Sequence, residues 1–64
     1  MNFIILRLPE VKKVTGLSRS SIYAMMDKKL FPRPVPLGER AVGWLESEIQ
    51  EWISQRLNVR GGQV

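Results

Sequence analysis

The joint Thr15-Gly16-Leu17-Ser18 places the strongest constraint on what this chain can fold into. Apolar residues at helical spacing lie on both sides of it: Leu8, Val11 and Val14 before, and Ile22, Met25 and Met26 after. Gly16 can adopt the left-handed conformation that closes a helix, and Ser18 can cap the next helix. The pattern predicts a helix-turn-helix. On the joint alone, a helical hairpin that only builds a core fits equally well.

The first helix is predicted from Pro9 to Thr15, and the second from Arg19 to Lys28 with Ser18 as its cap. At about 100° per residue, the apolar stripe of the second helix turns inward, whereas Ser20, Ala24 and Asp27 face out. The outer face is therefore small and polar near its start, as a helix that enters the DNA major groove requires. The alternative for Tyr23, at the side of that face, is a half-buried structural ring.

The N-terminal residues 3–8 read as a short extended stretch that ends where Pro9 begins the first helix. We expect Phe3, Ile5 and Leu6 to cover the core. The alternative is an apolar edge that pairs with a strand of a partner.

Prolines at positions 32, 34 and 36 exclude a helix after the second one and enforce an extended path. Leu30 and Phe31 are expected to pack under the two helices. Gly38-Glu39-Arg40 is a turn signal between two short apolar runs, residues 35–37 and 41–44, so the segment predicts a β-hairpin. A two-stranded ribbon after a helix-turn-helix is a wing, with Arg40 at its tip and Arg33 at its base. The alternative is a hairpin whose charges are merely solvated.

A last helix is predicted to start near Glu46 or Ser47, where Ser47 and Gln50 have the spacing of a capping box. Its apolar stripe consists of Leu45, Ile49, Trp52 and Ile53. We interpret Trp44 and Trp52 as structural, because so small a core needs their area. One domain is predicted over residues 1–58, followed by a frayed tail over residues 59–64.

The amino-acid composition excludes several classes of function. The 64 residues contain neither histidine nor cysteine, so the commonest general base, thiolate zinc ligands and disulfides are all excluded. No catalytic constellation is visible, and we expect neither an enzyme nor a bound cofactor or metal. The apolar run of residues 1–6 is too short to span a membrane, so a cytoplasmic protein is expected.

The charge is unevenly placed along the chain. Residues 1–44 contain eight basic and three acidic side chains, whereas residues 45–64 contain two basic and three acidic ones. A basic body beside a mildly acidic final helix indicates a surface for a polyanion. The three glutamates of the final helix, at positions 46, 48 and 51, are most simply a solvated helix start.

Several sequence blocks resemble, in the right order, the AlpA family of small prophage transcriptional regulators, which is akin to excisionases and to the MerR-type winged helix. The blocks are Arg7-Leu8-Pro9-Glu10-Val11, Thr15-Gly16-Leu17-Ser18-Arg19-Ser20-Ser21-Ile22-Tyr23, Phe31-Pro32-Arg33-Pro34-Val35, Leu37-Gly38, Arg40-Ala41-Val42-Gly43-Trp44, Glu46-Ser47-Glu48-Ile49 and Trp52-Ile53. The resemblance implies a mainly α winged helix-turn-helix, three helices plus a small β-hairpin, that binds DNA through residues 18–24 and a wing at residues 36–41. Three positions depart from the family pattern. Lys29 replaces a usual turn glycine, while Pro36 and Leu45 replace residues that are often basic.

The sequence thus predicts a sequence-specific DNA-binding regulator of phage or prophage type, with double-stranded DNA as its partner. The residues expected to read bases are Arg19, Ser20, Tyr23 and Ala24, and those expected to hold phosphates are Thr15, Ser18, Ser21, Lys28, Arg33 and Arg40. We expect a monomer or weak dimer that binds DNA cooperatively at the nucleoid, with integrase or RNA polymerase as a further partner. One alternative is an excisionase-like factor that bends DNA and recruits an integrase. Another is a protein-interaction module without DNA binding, which would use the apolar N-terminus or the acidic final helix.

Overall fold

The computed structural model describes residues 2–61, which form three helices and three short strands. In chain order these are β1 (Ile5–Leu6), α1 (Leu8–Thr15), α2 (Arg19–Asp27), β2 (Val35–Pro36), β3 (Val42–Leu45) and α3 (Glu46–Gly61). The predicted architecture, mainly helical with a helix-turn-helix followed by a small hairpin, is confirmed. Within residues 2–61, no helix is both long enough and apolar enough to cross a membrane.

Strand β3 lies in the middle of the sheet, and both of its neighbours are antiparallel to it. On one side β2 completes the predicted hairpin, with Val35 opposite Gly43. On the other side the N-terminal strand β1 pairs Leu6 with Trp44. Pro36 is tolerated because β2 is an edge strand with β3 as its one neighbour. The N–H that proline lacks can therefore be one that would have pointed to solvent and bonded to no strand. The N-terminal stretch is therefore part of the sheet as well as a cover for the core.

The core receives one fully buried side chain from each helix and one from the central strand. These residues are Val11 in α1, Ile22 in α2, Trp44 in β3 and Ile49 in α3. Leu6 and Phe31 are also buried, and Met25, Met26 and Ile53 pack against this cluster while partly exposed. The inward-facing stripe predicted for α2 is thus confirmed. For α3 it is confirmed at Ile49, Trp52 and Ile53, whereas Leu45 is the last residue of β3 and lies before the helix begins.

Both tryptophans are structural, as predicted, and both also hold the chain that leaves α2. The indole N–H of Trp44 donates to the carbonyl of Pro32 at 3.0 Å, and that of Trp52 donates to the carbonyl of Leu30 at 2.9 Å. The ring of Phe31 meets the ring of Trp52 edge-on, with centroids 5.0 Å apart. Hydrogen bonds from β3 and from α3 therefore both hold residues 30–32 in place.

The joint between α1 and α2 has the predicted geometry. Gly16 has a φ of 74°, in the left-handed region, and its N–H donates to the carbonyl of Lys12 at 2.8 Å. Ser18 caps α2, because its hydroxyl oxygen accepts from the N–H of Ser21 at 3.2 Å. At the start of α1, the carboxylate of Glu10 accepts from the N–H of Arg7 at 2.9 Å. Each helix terminus at the turn thus has a local partner.

The C-terminus of α2 carries an unusual residue. Lys29 has a φ of 60°, and it is the non-glycine residue within residues 2–61 with a positive φ. Its N–H donates to the carbonyl of Met26 at 3.0 Å, and the next N–H, of Leu30, donates to the carbonyl of Met25 at 2.8 Å. These two bonds form a Schellman motif, whose left-handed position is usually glycine. This backbone conformation accounts for the turn glycine that the resemblance implies at the position of Lys29.

Three apolar side chains lie outside the core, contrary to expectation. Phe3 is 70% exposed because it lies beyond the end of β3, where α3 has already begun. Leu30 is 53% exposed because its backbone closes α2 and binds Trp52, which leaves the side chain on the surface. Val14 is 47% exposed, since Val11 is the residue of α1 that enters the core.

Helix bounds also differ from expectation. Helix α1 begins at Leu8, and α2 ends at Asp27 with Lys28 as its cap. The capping box predicted at Ser47 is wrong, because Ser47 lies inside α3 and the N–H of Glu46 donates instead to the carbonyl of Ile4 at 2.8 Å. Helix α3 continues to Gly61, so residues 59–61 of the predicted tail are helical. Residues 62–64 of that tail lie outside the described residues.

We predict opposite effects at the two left-handed positions. Lys29→Gly should raise the free energy of unfolding by about 1 kcal/mol, because it removes the penalty of a side chain at positive φ. Gly16→Ala should lower it by about 1 kcal/mol, although nothing lies within 4 Å of the added Cβ. Urea unfolding followed by circular dichroism measures both. A stabilised Gly16→Ala or a destabilised Lys29→Gly would contradict the backbone assignment.

Gly43 is required for a different reason, the close approach of both neighbouring strands. A Cβ there would collide with the Cγ2 of Ile5 and lie 3.1 Å from the carbonyl oxygen of Leu6 and 3.2 Å from the Cδ1 of Leu37. Gly43→Ala should therefore cost about 1–3 kcal/mol of stability. Gly38→Ala is the matched control, since its Cβ meets nothing within 4 Å. Equal melting temperatures for the two variants would show that the sheet is not packed as described.

Candidate nucleic-acid interface

The first two turns of α2 present the candidate reading face. Arg19, Ser20 and Ala24 are exposed on it, and Tyr23 is half-buried. The four side chains expected to read bases therefore share one accessible side of α2, while Ile22 on the opposite side is fully buried. The Tyr23 ring is partly buried, as the alternative interpretation expected. The residue nevertheless lies at the edge of the exposed face.

Three serine hydroxyls form a hydrogen-bonded cluster at the start of this face. The hydroxyl of Ser18 donates to the hydroxyl of Ser21 at 3.0 Å and lies 3.3 Å from that of Ser20. Because the Ser21 oxygen accepts in this cluster, its own hydrogen remains available to a phosphate oxygen. The hydroxyl oxygen of Ser18 already accepts the N–H of Ser21 in the helix cap. Its chief contribution to a bound DNA strand is therefore to fix the positions of the other two serine hydroxyls.

Arg19 and Tyr23 are coupled. They stand four residues apart on α2, and the guanidinium carbon of Arg19 lies 5.4 Å from the centroid of the Tyr23 ring. This cation–π contact restrains a long side chain that would otherwise sample many rotamers. The guanidinium is thereby held on the exposed face, where its planar N–H groups can pair with two acceptors on guanine.

The cationic residues expected to hold phosphates are all exposed, but they lie at three separate places. Lys28 caps the end of α2, Arg33 lies on the segment before β2, and Arg40 lies in the turn between β2 and β3. The turn is closed by the N–H of Leu37, which donates to the carbonyl of Ala41 at 2.7 Å. Arg40 is thus presented at the tip of a closed hairpin, as the wing interpretation requires.

Thr15 has a different use from the one expected. Its hydroxyl donates to the carbonyl of Val11 at 2.6 Å and accepts from the N–H of Leu17 at 3.3 Å. Since a hydroxyl has a single hydrogen, none is left to donate to a phosphate. The contacts of Thr15 stabilise the turn between α1 and α2.

The N-terminus of α2 differs electrostatically from those of the other two helices. Helix α1 has Glu10 in its first turn and α3 has Glu46 and Glu48, whereas the first turn of α2 contains no acidic residue. An acid there would offset the positive end of the helix dipole. Its absence from α2 leaves the positive end unopposed beside the serine cluster, which favours an approaching phosphate.

Two features of this surface were not predicted from the sequence. The Arg19–Tyr23 contact could have been found from its i, i+4 spacing, which places the two side chains on one helical face. For the strained backbone of Lys29, the only signal was the turn glycine that the resemblance implies at that position, because nothing in the local sequence indicates a positive φ for lysine.

The chain is similar to known proteins over most of its length. Residues 4–57 match the family model described as prophage CP4-57 regulatory protein (AlpA). A relative from Escherichia coli K12, named DNA-binding transcriptional activator AlpA, is 47% identical in an alignment covering 81% of this chain and 83% of that protein. An uncharacterized protein, ORF88 of enterobacteria phage P4, is 48% identical over 81% of this chain and 59% of its own length. The family match spans both helices of the helix-turn-helix, all three strands and most of α3, and the chain belongs to the prophage regulatory protein family AlpA.

Proposed function

We propose that this protein is a sequence-specific DNA-binding transcriptional regulator of prophage type, with α2 as its recognition helix. The observation that carries the proposal is the exposed start of α2, where Arg19, Ser20 and Ala24 stand on one face with Tyr23 beside them. An α-helix fits the width of the major groove, and residues near the start of a recognition helix reach base edges there.

In this proposal each side chain has a stated task. Arg19, restrained by the Tyr23 ring, pairs with guanine, while Ser20 accepts or donates to a neighbouring base edge. Ala24, one turn later, offers a methyl group to the C5-methyl of thymine. Such a combination of one bidentate donor and small side chains lets α2 approach the groove floor closely.

Phosphate contacts frame the reading helix. Ser21 and the N-terminus of α2 hold one strand beside the base contacts, and Lys28 neutralises a phosphate near the other end of the helix. Arg40 at the hairpin tip lies where a wing meets the backbone or the minor groove, with Arg33 at its base. Thr15 takes no part in this proposal, because its hydroxyl is committed to the turn.

The name of the Escherichia coli relative supports activation of transcription as the mode of regulation. Activation makes RNA polymerase the expected protein partner and places the protein at the nucleoid in the cytoplasm. A domain with so short a reading helix makes few base contacts, so we propose that specific binding needs adjacent copies on DNA.

The salt dependence of binding tests the proposed function. With roughly four to six phosphates neutralised, the logarithm of the association constant should fall against the logarithm of salt concentration with a slope of about −4 to −5. Fluorescence anisotropy on genomic fragments and on random duplexes measures this slope. Absence of binding to any duplex at low salt, or a slope near zero, would contradict the proposal and favour a protein-interaction module.

Base readout and phosphate contact can be separated by two substitutions. Arg19→Ala should cost about 1–3 kcal/mol on the preferred sequence and flatten the preference among sequences. Arg40→Ala should weaken binding to all sequences alike and reduce the salt slope by about one. Arg60→Ala, an exposed cation in the last turn of α3, is the matched control and should change neither quantity. A change of sequence preference in Arg40→Ala but not in Arg19→Ala would make the hairpin the reader.

A further inference from the structure

The sheet has two edges, and prolines protect the β2 edge against a further strand. The N–H of Leu37 donates to the carbonyl of Ala41, so these two residues form a hydrogen-bonded pair across the hairpin. Hydrogen-bonded and non-hydrogen-bonded pairs alternate along antiparallel strands, so the next pair, Pro36 with Val42, is not hydrogen-bonded. The nitrogen of Pro36 therefore points away from β3, and it carries no hydrogen. Pro34, two residues earlier, lacks a donor as well.

The β1 edge keeps its outward hydrogen-bonding groups. The N–H of Glu46 donates to the carbonyl of Ile4 at 2.8 Å, which makes these two residues a hydrogen-bonded pair. Because the pairs alternate, the next pair, Ile5 with Leu45, is not hydrogen-bonded. The N–H and the carbonyl of Ile5 therefore point away from β3, along the open edge of the sheet. Phe3 stands two residues before Ile5, so its backbone groups continue the same outward row.

The side chains along the β1 edge are apolar. Phe3 and Ile4 are 70% and 52% exposed, and residues 3–6 contain no charged side chain. Soluble proteins usually blunt an exposed sheet edge with proline, as β2 does, or with charged side chains. An apolar edge with neither device is a template for one more strand. The β1 edge therefore has the chemistry of a strand-pairing surface.

We propose that the β1 edge pairs with the β1 edge of a second copy of this chain, antiparallel and with a twofold axis at Ile4. In this register the N–H and the carbonyl of Phe3 bond to the carbonyl and the N–H of Ile5 in the second copy. The axis repeats the exchange, so the outward backbone groups of both residues are satisfied in both copies. The two three-stranded sheets become one continuous sheet.

Side chains and charge favour this occupant. Phe3 lies directly opposite Ile5 of the second copy, and an aromatic residue opposite a β-branched one is a favourable cross-strand pair. The nearest described charge in the sequence, Arg7, is three residues from the axis. The Arg7 positions of the two copies are therefore about 20 Å apart along the strands. That separation is about twice the screening length at physiological salt, so the pairing brings no like charges together.

The pairing goes beyond the proposed function. It uses neither the exposed face of α2 nor the hairpin tip, and it does not require DNA. Only a few residues of each copy take part, so the interface is smaller than that of a stable dimer. We expect a dissociation constant between roughly 10 μM and 1 mM.

Opposite charges at position 4 test this proposal in solution without DNA. In sedimentation velocity experiments up to about 1 mM protein, the weight-average mass of the wild-type chain should rise with concentration. In the proposed register, position 4 faces itself across the axis in a non-hydrogen-bonded pair, where side chains lie closest. Ile4→Lys and Ile4→Glu should therefore each abolish the rise through like-charge repulsion. An equimolar mixture of the two variants should associate.

Variants at two other positions serve as controls. Val14→Lys and Val14→Glu introduce the same charges at an exposed apolar position on α1, outside the β1 edge, and should leave association unchanged. Phe3→Pro removes an outward N–H, as Pro36 does on the other edge, and should abolish association. Circular dichroism of each variant establishes that it is folded.

Three results would overturn the proposal. The first is a wild-type chain that stays monomeric at every concentration. The second is an Ile4→Lys or Phe3→Pro chain that associates like the wild type. The third is a mixture of Ile4→Lys and Ile4→Glu that stays monomeric, since position 4 would then not face its counterpart. A wild-type chain that associates but binds no duplex DNA would refute the proposed function and leave this pairing standing.

Discussion

Two indole hydrogen bonds determine how α2 and the hairpin are joined. Residues 30–32 leave α2 without regular secondary structure, and their carbonyls at positions 30 and 32 are bound by Trp52 and Trp44. Trp44 is fully buried on the central strand, so its bond ties this segment to the core itself. Because prolines remove backbone donors from the segment, side-chain donors on other elements have to fix it in place.

The placement of α2 follows from this attachment and from the two left-handed residues at its ends. Gly16 sets the direction in which the chain enters the helix, and Lys29 sets the direction in which it leaves. Between them Ile22 is fully buried, and Met25 and Met26 pack against the core while partly exposed, whereas the first turn of the helix remains exposed. The hairpin is fixed at the other end of the segment by the pairing of β2 with β3, and Arg40 is exposed in its turn.

Local sequence patterns were sufficient to predict most of the fold. Helical periodicity and the Gly16 and Ser18 signals were sufficient for the helix-turn-helix, and alternating prolines with a turn were sufficient for the hairpin. The pairing of β1 with β3 was not predictable, because register between segments far apart in sequence leaves no local trace. The exposure of Phe3 follows from that register, and the use of the Thr15 hydroxyl follows from the detailed geometry of the turn. For the reading face, the sequence identified the exposed side of α2 but not the contact between Arg19 and Tyr23.

The central claim is that the exposed side of α2, supported by the hairpin tip, contacts DNA while α3 does not. Amide chemical-shift mapping of isotopically labelled protein during titration with duplex DNA tests it most directly. The account predicts that the largest shifts occur over residues 18–24 and 38–40, and that the amides of Glu48, Glu51 and Val59 move little. Shifts centred on α3, with residues 18–24 unchanged, would contradict it.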